Sequence, residues 1–485
     1  MTLSLNALEE TGLLIGGKWH PGADRFDDIA PRNGAVFATA PDARVEDMRA
    51  AVAAAREAFD RGPWPRLSGE ERAACLNELA EGLRKEEGFF GELAALEWGV
   101  ANDQRAQVSA AAFIAAGSAR LAAVPNEEPI TGPDGSAGRV IHKPEGVVAA
   151  ITPWNYPHTL NLTKVASAIA AGNTIVLKPS PLSPLAGLAL ARIIAEHTSI
   201  PPGVVNIVPT SALDAALALT SDERVDMISF TGSTAVGKQI AAAAAGTLKR
   251  LVLELGGKSP AIYLDDLTDT DHAALAARTL FDGCTKHSGQ ACILTSRLLV
   301  PAAHHESIVE RLVALAEKVV VGDPLDASSE MGPMISEAQA DSVLRQVEEA
   351  VQAGATIATG GKRVDRTGQG GAYIAPTILT GVTSEMAVAQ NELFGPVLSV
   401  ISFSDDEEAV AIGNSTRFGL VGAVFGADHE RAEAVAQRLR VGQVTVNGAM
   451  PLGSFGGFGE SGLGREQGLV GVREYTETTV VSRPA

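Results

Sequence analysis

The chain has 485 residues, 46% hydrophobic and 20% charged, enough for two to four domains at about 100–200 residues each. Acidic residues outnumber basic ones 58 to 39, a net charge of −19, and no Lys/Arg-rich block breaks that balance. This excludes a nucleic-acid backbone and an anionic membrane surface as partners. The three cysteines, Cys75, Cys284 and Cys292, are odd in number and lack C-x-x-C spacing. They exclude a disulfide framework and a multi-cysteine zinc site, and they fit a reducing compartment.

The N-terminal MTLSLNALEETGLL has no basic n-region or apolar h-region, so no secretory signal is read. No uninterrupted apolar run reaches the ~18 residues of a membrane span. A cytoplasmic location is expected. Ala-rich amphipathic patterns predict helices over 45–60, 70–85 and 103–122, with Ser68 and Glu71 spaced as a capping box. Residues 124–138 hold three prolines and three glycines and read as a connector.

From 146 to 265, strand-like runs alternate with helical patterns. Strands are predicted at 146–152, 174–178, 204–208, 226–230 and 250–254, and helices at about 159–171, 184–198, 212–220 and 233–245. This alternation predicts an α/β fold with a doubly wound parallel sheet and ligands at the carboxyl ends of its strands. A second α/β stretch spans 259–446, with strands near 259–264, 297–300, 396–402, 420–425 and 441–446. Its helices are predicted at 269–282, 304–320 and 336–353. Residues 360–371, with five glycines, read as a flexible surface loop. The tail is glycine-rich over 450–465 and then polar and β-branched.

Five positions could carry chemistry. Cys292, in SGQACILTSR, sits where a loop could expose a thiol, and a catalytic thiolate needs its pKa lowered by a dipole or positive charge. A buried structural cysteine is the plainer reading of the residue alone, and the only one for Cys75 and Cys284. Glu254 closes the run LVLE before two glycines. Burial there would raise its pKa toward that of a general base, and a surface turn glutamate is equally compatible. Asn155, bracketed by prolines in TPWNYPH, could donate to an oxyanion or simply occupy a turn. SFTGSTAVGK follows a strand and opens a helix, as an anion site or as a plain cap. Lys178 ends a strand, where it could reach a ribose or phosphate.

Together these segments resemble the NAD(P)-dependent aldehyde dehydrogenase superfamily. The strings TPWNYPH, GNTIVLKPS, PPGVVNIV, SFTGSTAVGK, LELGGKSP, GQACI, NELFGPV and FGGFGESGLGRE occur in the family's order over about 150–465. The resemblance implies a Rossmann-type cofactor domain (1–121 and 145–256) and an α/β catalytic domain (257–446). A small β oligomerisation element (122–144 and 447–485) would join partners into homodimers or homotetramers. It implies that an aldehyde and NAD or NADP, with a lean to NAD, yield a carboxylic acid without a metal. Cys292 matches the nucleophile that forms a thiohemiacetal and then a thioester, and Glu254 the base that activates water. Asn155 matches the oxyanion hole and Lys164 a lysine near the catalytic glutamate. Ile151, Thr152, Pro153, Trp154, Lys178, Ser180, Gly232, Ser233, Val236, Leu255, Gly256, Glu392 and Phe394 match the cofactor site.

Some positions depart from the family pattern. Pro181 stands where many NAD-preferring members carry a glutamate, Thr210-Ser211 replaces a glycine turn, and Gly459 replaces a lysine. His158 replaces an apolar residue, either tuning the substrate tunnel or packed neutral, and His304 and His305 read as surface histidines. A CoA-acylating semialdehyde dehydrogenase commonly lacks a base at the Glu254 position, and a non-catalytic relative would lose Cys292 or Glu254. No arginine pair or carboxylate cluster reads a charged substrate, which leans toward an apolar aldehyde.

Overall fold

The computed structural model describes residues 3–101, 110–364, 370–451 and 453–484. Helix Val45–Asp60 buries Met48, Ala51, Val52, Ala55 and Ala58, a single stripe at helical spacing. Helix Gly69–Lys85 starts on the Ser68/Glu71 capping box, with Glu71 N donating to Ser68 Oγ and Ser68 N to the Glu71 carboxylate. Both elements were legible from their patterns. Of the predicted 103–122 helix, Ala110–Ala122 is helical and the part before it lies outside the described residues.

Two sheets carry the fold. In the first, the parallel strands Val147–Ile151, Thr174–Lys178, Val205–Ile207, Met227–Thr231 and Arg250–Glu254 form the centre of eight. Val147, Val148, Ala149 and Ala150 are wholly buried, as a sheet covered on both faces requires. The short strand Gly462–Leu463 adds antiparallel to Arg250–Glu254 at one edge, and Leu13–Ile15 with Lys18–His20 close the other. The second sheet orders seven strands as Thr356–Thr359, Thr377–Thr380, Val397–Phe403, Arg297–Pro301, Pro260–Tyr263, Val421–Phe425 and Gln443–Val446. Only its first pair is antiparallel. Each sheet packs hydrophobic clusters on both faces.

The segment 124–138 is not merely a connector. Glu127–Thr131 and Ala137–Pro144 are antiparallel strands, and Thr476–Arg483 completes a three-stranded sheet beside them. Pro129 is tolerated because its strand lies at the sheet edge, where one face of the ladder needs no donor. The expected flexible loop at 360–371 is tied down at its described ends. Gly370 and Gly371 (φ 64° and 92°) lie against the carbonyls of Asn33 and Arg32, and 365–369 fall outside the described residues. Helix Glu87–Glu97 was not anticipated, because only Glu86 separates it from the preceding helix. Among the described residues no helix is long and apolar enough to cross a membrane.

Candidate active site

The carboxyl ends of the first sheet's strands open onto a cavity of about 940 Å³. Trp154, Asn155, Gly232, Ser233, Cys292 and Glu392 are among the residues that line it. Pro153, Leu255, Gly256 and Phe394 line it as well. Segments nearly 240 residues apart in the chain therefore meet at one opening.

The Cys292 loop is held by a tight backbone. Helix Asp269–Leu280 runs into the wound turn Phe281–Thr285, after which His287 and Ser288 take left-handed conformations (φ 47° and 54°). Two consecutive non-glycine residues there store strain of the kind that gathers at functional sites. Gln290 anchors the turn. Its Oε1 accepts from Ile335 N at 2.8 Å, its Nε2 donates to His287 O at 3.2 Å, and its carbonyl accepts from Asn155 Nδ2 at 2.9 Å. The two glycines of LELGGK permit the approach. A Cβ on Gly257 would stand 2.6 Å from Cys292 O, and one on Gly256 2.4 Å from a Glu392 carboxylate oxygen.

Cys292 is half-buried, but its thiol is not acidified as the sequence reading required. Burial pushes its pKa well above the usual thiol value, and the negative charges of Glu392, Glu254 and Glu466 push it further. Cys75 and Cys284 are buried, as expected of core residues, with the Cys284 thiol also pushed up by burial.

Glu254 ends its strand 3% exposed, and neither carboxylate oxygen has a hydrogen-bond partner. Burial raises its pKa well above the ordinary value, and Glu466 adds to the rise. Lys164 and Arg465 oppose it. Lys164 is fully buried, donating to Glu466 Oε1 at 2.6 Å and to Ser229 Oγ at 3.1 Å. Ser229 in turn shares a 2.8 Å hydrogen bond with Tyr475 Oη. Glu466, Ser229, Tyr475 and Gln290 were missed as site residues by sequence reasoning. Glu466, Gln290 and Ser229 lay inside quoted strings, but nothing in their spacing marked a role.

The cofactor side is built from strand ends. Gly232 and Ser233 precede helix Thr234–Ala244, where Ser233 Oγ accepts from Val236 N at 3.4 Å and Gly232 N donates to Glu254 O at 3.0 Å. Lys178 is buried, which pulls its pKa down to about 8, and its hydrogen bond goes to Pro179 O at 3.3 Å. Ser180 Oγ accepts from Leu182 N at 3.2 Å. Glu392 accepts from Gly257 N at 3.1 Å, and burial pushes its pKa up to about 7. Phe394 (φ 55°) meets Trp154 edge-on at 5.5 Å. An anion-ready helix start, an ammonium with spare donors and a carboxylate beside an aromatic pair fit a dinucleotide.

Ile151, Thr152, Lys164, Lys178, Ser180, Val236 and Glu254 do not line the main cavity. Ile151 pairs with Lys178 across the sheet, Thr152 Oγ1 donates to Asn161 Oδ1 at 2.5 Å, and Val236 is exposed on its helix. His158 is the packed neutral residue. It lies between Phe90 and Trp98 at 4.3 and 4.7 Å, and burial pulls its pKa down to about 3. His304 and His305 are half-buried rather than surface residues, with His304 packed 5.0 Å from the ring of buried His272. The Thr210-Ser211 turn is fixed by hydrogen bonds to Asp42 and to Ala43 O.

Comparison with known proteins gives one consistent result. The family model described as "Aldehyde dehydrogenase family" matches residues 19–481. The chain is similar to betaine aldehyde dehydrogenase of Bacillus subtilis (strain 168), 40% identical over 97% of both chains. It is also similar to the peroxisomal aminoaldehyde dehydrogenase 1 of Pisum sativum, at 38% over 97% of this chain and 95% of that protein. Among solved structures, an NAD-dependent aldehyde dehydrogenase from Sinorhizobium meliloti superposes with a TM-score of 0.93 at 37% identity, covering 100% and 97% of the two chains. Betaine aldehyde dehydrogenase from Staphylococcus aureus in complex with NAD+ gives 0.95 at 32% identity, covering 99% and 96%.

Proposed function

The chain belongs to the aldehyde dehydrogenase family and oxidises aldehydes with NAD, and from that premise we propose how its residues divide the reaction. Cys292 is the nucleophile, and Glu254 is the base that serves first the thiol and then water. What supports this reading most is Glu254 itself. It is a buried carboxylate with no hydrogen bond, close enough that its charge raises the Cys292 thiol. A base with a raised pKa can take a proton near neutrality.

In the first step Glu254 accepts the Cys292 proton and the sulfur bonds to the aldehyde carbon. Asn155 Nδ2 has one hydrogen committed to Gln290 O, and its second is free for the developing oxyanion together with the Cys292 amide. NAD bound between Glu392, Phe394 and the Gly232–Ser233 amides would supply the hydride acceptor at this carbon. Once Glu254 has released that first proton to solvent, it takes a proton from the water that attacks the thioester carbon, Cys292 leaves as a thiolate and the carboxylate is released. Lys164 and Glu466 set the charge beside Glu254. Ile151, Thr152, Pro153, Trp154, Gly232, Ser233, Val236, Leu255 and Gly256 form the cofactor's bed. Lys178 and Ser180 would hold its adenosine side, and Glu392 and Phe394 its nicotinamide side.

The domain division proposed from the sequence is retained, with 455–475 returning from the bridging element to cover Glu254. Thr476–Arg483 exposes Val480 and Val481, and Gln443–Val446 is an open sheet edge. These two edges suit pairing between copies in a homodimer or homotetramer. Three free cysteines suit a cytoplasmic location. The test is pre-steady-state NADH formation. Glu254→Gln should slow turnover about 10²- to 10⁴-fold by general-base loss. Hydrolysis of the acyl-enzyme should suffer more than its formation, and Cys292→Ala should form no acyl-enzyme. NADH production by Cys292→Ala at the wild-type rate would refute the assignment.

A further inference from the structure

We propose that Lys286 makes this enzyme selective for anionic aldehydes, those carrying a carboxylate away from the carbonyl. The inference rests on the reaction assigned above and concerns only what the cavity admits. Lys286 stands six residues before the nucleophile and lines the same cavity as Cys292. Its Nζ lies 5.8 Å from the ring centroid of Phe281, another lining residue, which places the ammonium at the cavity wall.

Among the described residues, the other charged side chains lining the cavity each have a partner. Arg278 is paired with Asp282 at 3.2 Å, and Glu466 with Lys164 at 2.6 Å. Glu392 accepts the Gly257 amide on the cofactor side. Lys286 has no carboxylate within salt-bridge distance among the described residues. The other described lining residues carry no charge, among them Thr159, Leu160, Thr163 and Ile293. An unmatched ammonium in a confined, mostly apolar channel attracts a carboxylate and repels a quaternary ammonium group. This proposal departs from the sequence-based lean to an apolar aldehyde. The chain should also differ from those of its relatives that are named for betaine aldehyde, a trimethylammonium compound.

The test is NADH formation by wild type, Lys286→Met and Lys286→Glu. Three aldehydes of matched length would be used, one ending in a carboxylate, one in a methyl group and one in trimethylammonium. Wild type should favour the carboxylate over the methyl aldehyde by roughly 10- to 100-fold in kcat/KM, the range of a charge-assisted contact. Lys286→Met should remove that preference through KM while leaving the methyl aldehyde nearly unchanged, which also shows that the variant is folded. Lys286→Glu should turn the preference toward trimethylammonium. Equal loss on all three substrates, or no wild-type preference for the carboxylate, overturns the inference and leaves the assigned reaction standing. No turnover of any of the three by wild type overturns the assigned reaction as well.

Discussion

Replacing Glu466 by Gln should shift the acid limb of the pH–rate profile downward, and replacing Lys164 by Met should shift it upward. Glu254 must be ionised to act as a base, so kcat/KM rises as pH rises through its pKa. That pKa is raised by burial and by Glu466, and lowered by Lys164 and Arg465. A charge within about 4–6 Å moves a neighbouring carboxyl by roughly 1–3 pH units, so each variant should move the limb by about that much. Breaking the 2.6 Å Lys164–Glu466 pair also has a structural cost, of about 3–5 kcal/mol for a buried pair that loses one partner. In Glu466→Gln that cost is reduced, because Glu254 then ionises readily and faces the stranded ammonium. In Lys164→Met Glu254 keeps only Arg465 as an opposing cation and is held protonated to higher pH. The assay is kcat/KM for one aldehyde across pH at saturating NAD, with urea unfolding of each variant alongside. Limbs that stay in place, or that move in the same direction in both variants, would refute this electrostatic account of Glu254.

Gly257→Ala should cost more in activity than in stability. Its Cβ would sit 2.6 Å from Cys292 O, and a displacement of about 1 Å at a reacting group can cost 10²-fold. Comparable kcat/KM for Gly257→Ala and wild type would show that the nucleophile loop tolerates the shift. His158 and His287, both pulled down to about 3 by burial, should destabilise the protein as pH falls below the free histidine value near 6.5. Between pH 7 and 5 each contributes roughly 2 kcal/mol of loss. His158→Leu should reduce the pH dependence of the urea midpoint by one such share, and an unchanged slope would contradict a neutral buried imidazole. Asn155→Ala should lower kcat about 10²- to 10³-fold with KM for NAD little altered, the signature of a lost oxyanion donor. A change confined to KM would argue instead for a role in binding.

The sheets were legible because parallel strands buried on both faces leave unbroken apolar runs such as VVAAI and TIVLK. Cys292 and Glu254 were legible only through their neighbours, since the glycines of LELGGK and GQAC mark where two backbones nearly touch. The strands at 127–131 and 137–144 were hidden because their prolines and glycines read as turns, and their pairing with 476–483 bridges over 300 residues. Glu466 was hidden for a similar reason. Its partner Lys164 lies 302 residues away, and neither spacing nor periodicity reports a contact of that separation. The negative charge around the Cys292 thiol was hidden because Glu254, Glu392 and Glu466 come from distant segments of the chain.

The short strand Gly462–Leu463, laid antiparallel against Glu254, has a consequence for the order of synthesis. Gly456, Arg465, Glu466 and Tyr475 enclose the base, and all of them lie in the last thirty residues of the chain. Translation runs from the N-terminus, so the nucleophile and the cofactor's bed are made long before the wall that shuts off Glu254 from solvent. A nascent chain would thus take up NAD before it could complete a turnover. A ribosome-held chain ending before Gly456 should bind NAD yet produce no acid. Hydrolytic turnover by such a chain would show that the base acquires its character without its closing segment.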